Sequence, residues 1–151
     1  MPELIIADAS CMIILTKIGR LDLLRRLYRT VTTTSVVAAE YGLPLPEWMR
    51  LEVAADTARQ QQLVLLVDAG EASAIALALE RPGCTLILDD YKARKTAEKL
   101  SIQLTGTFGV LLRAKRQGLV PAVKPLLEQI RQTNFRFSAA LEMAVLSQAG
   151  E

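Results

Sequence analysis

Two short apolar runs end in carboxylates, and no other feature constrains the fold of this chain more. Leu4-Ile5-Ile6-Ala7 closes on Asp8, and Thr85-Leu86-Ile87-Leu88 closes on Asp89 and Asp90. A buried strand that ends in an acid puts the charge at the carboxyl edge of a sheet, where open α/β sheets form their ligand sites. Glu40 and Glu71 lie in segments able to return to the same edge.

The order of segments supports that picture. Residues 4–8 read as a strand, 10–17 and 20–29 as helices parted by Gly19, and 31–33 as a β-branched strand. Thr34 or Ser35 caps a helix through Tyr41, which Gly42 ends. A loop marked by Pro44 and Pro46 precedes an expected helix over 47–60 and a strand or extended connection over 63–67. Further helices are expected at 71–80, 90–100, 108–117, 122–133 and 138–149, with strands at 85–88 and 102–104. Strands alternating with helices pair in parallel through right-handed crossovers. The expected fold is α/β: a three-layer α/β/α sandwich around a mostly parallel sheet of four or five short strands, in a single domain spanning 1–151.

Composition narrows the function classes. The chain has no histidine, which removes Ser-His-Asp and Cys-His catalysis and His-ligated zinc. Cys11 and Cys84, its two cysteines, sit among apolar neighbours and read as buried small hydrophobes. The net charge is only +2, but the cations are clustered: Arg25/Arg26/Arg29, Lys92/Arg94/Lys95/Lys99 and Arg113/Lys115/Arg116. Each cluster taken alone reads as a solvated helix face. There is no apolar run long enough for a membrane span and no leader pattern, so a cytoplasmic protein is the default expectation.

Each acid has a bland reading. Asp8, Asp89 and Asp90 stand where helices start and can cap them. Glu71 falls in a first helical turn, which the helix dipole favours, and Glu40 in a last turn, which it disfavours. Taken jointly, clustered carboxylates repel, and a hard cation with a preference for oxygen relieves that repulsion. Metal-assisted phosphoryl chemistry is what remains for acids at such an edge.

The ordered set Asp8-Ala9-Ser10, Glu40, Gly70-Glu71-Ala72-Ser73-Ala74-Ile75, Asp89-Asp90-Tyr91-Lys92-Ala93-Arg94 and Gly106-Thr107-Phe108-Gly109-Val110-Leu111 resembles PIN domains. In particular it resembles the PIN-like subfamily related to the VapC toxins of bacterial toxin–antitoxin pairs. The resemblance runs from residue 3 to about 145. It implies an Mg²⁺- or Mn²⁺-dependent ribonuclease acting on RNA and held by a cognate antitoxin. Asp8, Glu40, Glu71 and either Asp89 or Asp90 match its metal-binding, catalytic acids, and Ser10 and Thr107 match hydroxyls lining such a site. The third acid is Glu71 where the toxins often carry Asp.

Arg94, near Asp90 on the same helix, reads equally as a helix ion pair or a phosphate contact. Trp48 and Tyr28 read as core. Helices 10–29 carry more Leu and Ile than one thin layer is expected to bury, which predicts a homodimer. The alternative to an enzyme is a non-catalytic PIN-like module that binds RNA or protein. A phospho-receiver domain fits less well, because Asp8 has no adjacent acid.

Overall fold

The computed structural model describes residues 4–151. Among them, five strands form one wholly parallel sheet: β1 (Leu4–Ala7), β2 (Thr30–Thr33), β3 (Met49–Leu51), β4 (Thr85–Ile87) and β5 (Gln103–Thr105), in the order β3-β2-β1-β4-β5. Nine helices surround it: α1 (Ala9–Lys17), α2 (Asp22–Leu27), α3 (Ser35–Tyr41), α4 (Thr57–Leu63), α5 (Ala69–Leu79), α6 (Tyr91–Lys99), α7 (Thr107–Arg116), α8 (Lys124–Arg131) and α9 (Ala139–Gln148).

The central strands are apolar on both faces because both faces are covered. Ile5 and Ala7 enter one core with Leu23, Leu24, Leu111 and Leu127, while Ile6 enters the other with Ile75, Ala93 and Ala97. On β4 the same alternation sends Ile87 to the first core and Leu86 to the second. The Ala-rich face of α5 lets that helix lie close: every residue from Gly70 to Ala78 is buried. Right-handed crossovers send the chain leaving β1 for β2 over one face and the chain leaving β4 for β5 over the other. The sheet order therefore reverses between β1 and β4, and a crevice opens above their carboxyl ends, beside Asp8 and Asp89.

Two expected elements are different. The segment 47–60 is not one helix: Met49–Leu51 pairs with Val31–Thr33 as an edge strand, and α4 begins only at Thr57, where the Asp56 side chain accepts from the Arg59 amide at 2.9 Å. The run 63–67 is not a strand. Leu63 ends α4, and the next residues close tight turns through Leu65 N–H to Gln62 O and Leu66 N–H to Leu63 O, leaving Leu65 84% exposed. The apolar surplus expected of helices 10–29 is also absorbed within the chain. Ile14, Leu15, Leu23, Leu24 and Leu27 are all buried, so that cause for a homodimer falls away. Among the described residues no helix is long and apolar enough to cross a membrane.

Candidate active site

Asp8 follows β1 directly and occupies the N-cap position of α1 in extended backbone, yet its side chain makes no capping hydrogen bond. The bland reading of this residue therefore fails. Asp8 is 5% exposed, and its Oδ1 is buried without a hydrogen-bond partner. Burying a carboxylate favours its neutral form. Burial pushes Asp8 up from 3.8 to about 7; the amide of Ala9 opposes this, and the charges of Glu71, Asp68 and Glu40 add to it.

Those neighbours arrive on two helices. α5 starts with a capping box: Asp68 Oδ1 accepts from the Glu71 amide at 2.8 Å, and Glu71 Oε1 accepts from the Asp68 amide at 3.2 Å. Glu71 is thus held by its own helix start as well as aimed at the edge. Burial raises it to about 7, with Asp68 and Asp90 adding repulsion and the Asp68 amide opposing it. Glu40, on the last turn of α3, reaches the same place from an exposed position. Gly70 makes room for it: a Cβ there would stand 2.5 Å from both Glu40 carboxylate oxygens. Partial burial and the charge of Asp68 raise Glu40, while the Gly70 amide lowers it.

The β4 end is built differently. Asp89 Oδ1 accepts from the Thr107 amide at 2.8 Å and Oδ2 from the Thr107 hydroxyl at 2.6 Å, so Asp89 ties β4 to the start of α7. Asp90 caps α6 through Oδ2, which accepts from the Ala93 amide at 2.9 Å. Asp90 is thus the aspartate that Glu71 feels, whereas Asp89 is occupied. Arg94 makes no ion pair with Asp90 among the described residues; its Nη1 donates to the Leu88 carbonyl at 2.7 Å. Thr107 is buried and spent on Asp89, with a further contact to the Cys11 thiol. Ser10 is exposed on the first turn of α1 and opens on a separate cavity of about 190 Å³ beside Lys17 and Asn134. Trp48 packs against the core and Tyr28 is buried within it, as their apolar settings imply.

Sequence reasoning missed Asp68, although the spacing Asp68-x-x-Glu71 is the signature of a capping box. It also missed the buried hydroxyl pair of Thr34 and Ser73, 2.7 Å apart, which fastens the start of α3 to α5.

The donor set is all carboxylate oxygen, and one buried oxygen is orphaned. Both observations suit a hard divalent cation in kind. In number the acids remain apart: among the described residues no three Asp, Glu or Cys side chains are gathered closely enough to hold an ion.

A doubly covered parallel sheet with acids at its switch point places the candidate site at the carboxyl ends of β1 and β4. A family model described as a PIN domain, DUF3368, matches residues 4–151, and the chain belongs to this family. PIN domains are generally nucleases and typically use divalent metal ions. No curated protein matches the chain.

Proposed function

We propose that this chain is a metal-dependent endoribonuclease, and that it serves as the toxin of a toxin–antitoxin pair of the VapC-like kind. One observation carries the reading. Asp8 is buried at the β1–β4 switch point with an unpartnered Oδ1, in a ring of like charges that it tolerates only at a cost. Asp8, Glu40, Glu71 and Asp90 would hold Mg²⁺ or Mn²⁺. Such an ion would supply Lewis-acid chemistry there, lowering the pKa of a water and neutralising charge on a phosphoryl group. The chain's own residues do the rest. The capping box fixes Glu71, the Thr107 clamp fixes the β4 end, and the Arg94 guanidinium keeps donors for an RNA phosphate beyond the one spent on Leu88.

The experiment is cleavage of single-stranded RNA across a Mn²⁺ titration, by the wild type and by Asp8→Asn. Cleavage should vanish on chelation and fall at least about 100-fold in the variant. Full activity in Asp8→Asn, or activity that survives the chelator, overturns the reading. The toxin role is tested separately: expression should arrest growth, and the small protein encoded beside it should restore growth. The acids standing apart favour one competitor, a PIN-like module that binds without cutting. A melting curve unmoved by Mn²⁺ would select it.

A further inference from the structure

Two of the cavities adjoin along one side of the sheet. A cavity of about 520 Å³ lies along β5, the free edge of the sheet, with Thr85, Gln103, Thr105, Arg113 and Arg116 in its wall. A second, of about 460 Å³, adjoins it and reaches Asp89 and Arg94; the two share Leu104, Thr105, Gly109, Leu112 and Gln148. Together they make one groove from the acidic edge down the outside of the sheet. Gly109 lets α7 lie close to β5 along this wall, because a Cβ there would collide with Thr105 Oγ1.

The groove is cationic and uncompensated. The first cavity has two arginines in its wall and no acid. The second has one acid, Asp89, whose two oxygens are both taken by Thr107. Among the described residues neither Arg113 nor Arg116 has an ion-pair partner, and Arg113 Nε is buried with no hydrogen bond. The Arg113 guanidinium lies over the Tyr28 ring, 5.5 Å from its centroid, which fixes the fork and covers the aromatic face. Tyr28 is 3% exposed, so the cavity offers no platform on which a base could stack. Paired arginines without a stacking surface suit a phosphodiester and read no sequence.

We propose that Arg113 and Arg116 seat a backbone phosphate of single-stranded RNA, remote from the acids and independent of base identity. The inference rests on the ribonuclease reading for its substrate class. Thr85 stands four residues before Asp89; at roughly 3.3 Å per strand residue the seat lies about 13 Å from the acidic edge. That is about four stacked nucleotides at roughly 3.4 Å each. A dinucleotide at the acids therefore does not reach the arginines, and a longer strand does.

The test is fluorescence anisotropy of labelled single-stranded RNA of about ten nucleotides, in chelator so that nothing is cut, across a salt series. Arg116 is exposed, so Arg116→Gln leaves the fold intact. It should weaken binding several-fold, equally for unrelated sequences, and make the salt dependence shallower by about 0.7 in log–log slope, the value for one phosphate on a single strand. Arg113→Lys, which keeps charge but loses the fork, should weaken binding less than Arg113→Gln. Dinucleotide cleavage in Mn²⁺ should be unchanged by Arg116→Gln. Equal affinity and equal slope for the wild type and Arg116→Gln overturn the seat. So does an acidic peptide that loses affinity in the variant while RNA does not, which would give the groove to a protein partner. Absence of any cleavage by the wild type, with the arginine-dependent binding intact, would instead sink the ribonuclease reading and leave the seat standing.

Discussion

Asp8 and Asp89 end neighbouring strands of one sheet, and their surroundings are opposite. Asp89 has both oxygens bonded to Thr107, one through a backbone amide and one through a hydroxyl. Asp8 is buried, has an oxygen with no partner and faces three other acids. The first arrangement is how a fold satisfies a carboxylate. The second stores unfavourable electrostatics that only protonation or a cation removes. Residue type and place at a sheet edge are shared, so neither distinguishes a fastener from a site; the hydrogen-bond inventory does.

The largest effect that can break this contrast is pH dependence in chelator. Within the fold Asp8 keeps its proton up to about 7, whereas the ordinary value is 3.8. Between those values the folded chain binds more protons than the unfolded one, so stability falls as pH rises through that window. The loss from Asp8 is on the order of 4 kcal/mol, and Glu71, raised to about 7, adds in the same direction. Chemical denaturation at pH 4.5 and pH 7.5, within and above that window, measures it. Asp8→Asn should lessen the dependence and leave the share of Glu71; a flat wild-type curve would mean that Asp8 is not strained.

Metal addition comes next. At 100 times its dissociation constant an ion should add about 2.7 kcal/mol. The gain should be larger at pH 7.5 than at pH 5, because protons compete for the same oxygens. In Asp8→Asn the rise in melting temperature should be lost. A smaller effect belongs to the fastener: Thr107→Val removes the hydroxyl from Asp89 Oδ2 and should cost about 1–3 kcal/mol with the Mn²⁺ midpoint unmoved. A shifted midpoint would put Asp89 among the ligands. The smallest change in stability is expected for Gly70→Ala. Helix propensity gains up to about 1 kcal/mol, and the displaced Glu40 carboxylate is the end of a flexible side chain. Melting should barely move, while calorimetry should show metal affinity reduced about 10–100-fold.

Much of this was legible from residue order. β1, β4 and α5 carry strong local signals: β-branched runs closed by acids, and an Ala/Leu stretch behind a turn. Layering and parallel pairing follow from alternation and crossover handedness, whereas the strand order does not. What was not legible depends on contacts distant in sequence. Met49-Arg50-Leu51-Glu52-Val53 does alternate apolar and charged residues, a strand signal too short to stand out from the surrounding helix-like stretch, and it becomes β3 by pairing with Val31–Thr33. Val64-Leu65-Leu66 has the composition of a strand but is taken up in the turns that follow α4, and it stays at the surface. In the site, Asp8 was found by its place at a strand end. That Asp89 fastens β4 to the start of α7 could not be read locally, because its partner Thr107 lies beyond β5. Asp68 carried a readable signal, its spacing to Glu71, that a search for strand-end acids passes over.

The pairing of β1 with β4 also sets a timetable. Ile6 pairs with Leu86, with β2, β3 and five helices between them in the chain. Parallel pairing between segments so far apart forms slowly, because the long loop must close before its contacts reward it. As a chain grows from its N-terminus, Asp8, Glu40, Asp68 and Glu71 are all synthesised before the strand that completes their crevice. A product broken off ahead of Thr85 carries those four acids and no β1–β4 edge for them to share. The crevice above β1 and β4 is therefore complete only once β4 has been made, after all four of those acids.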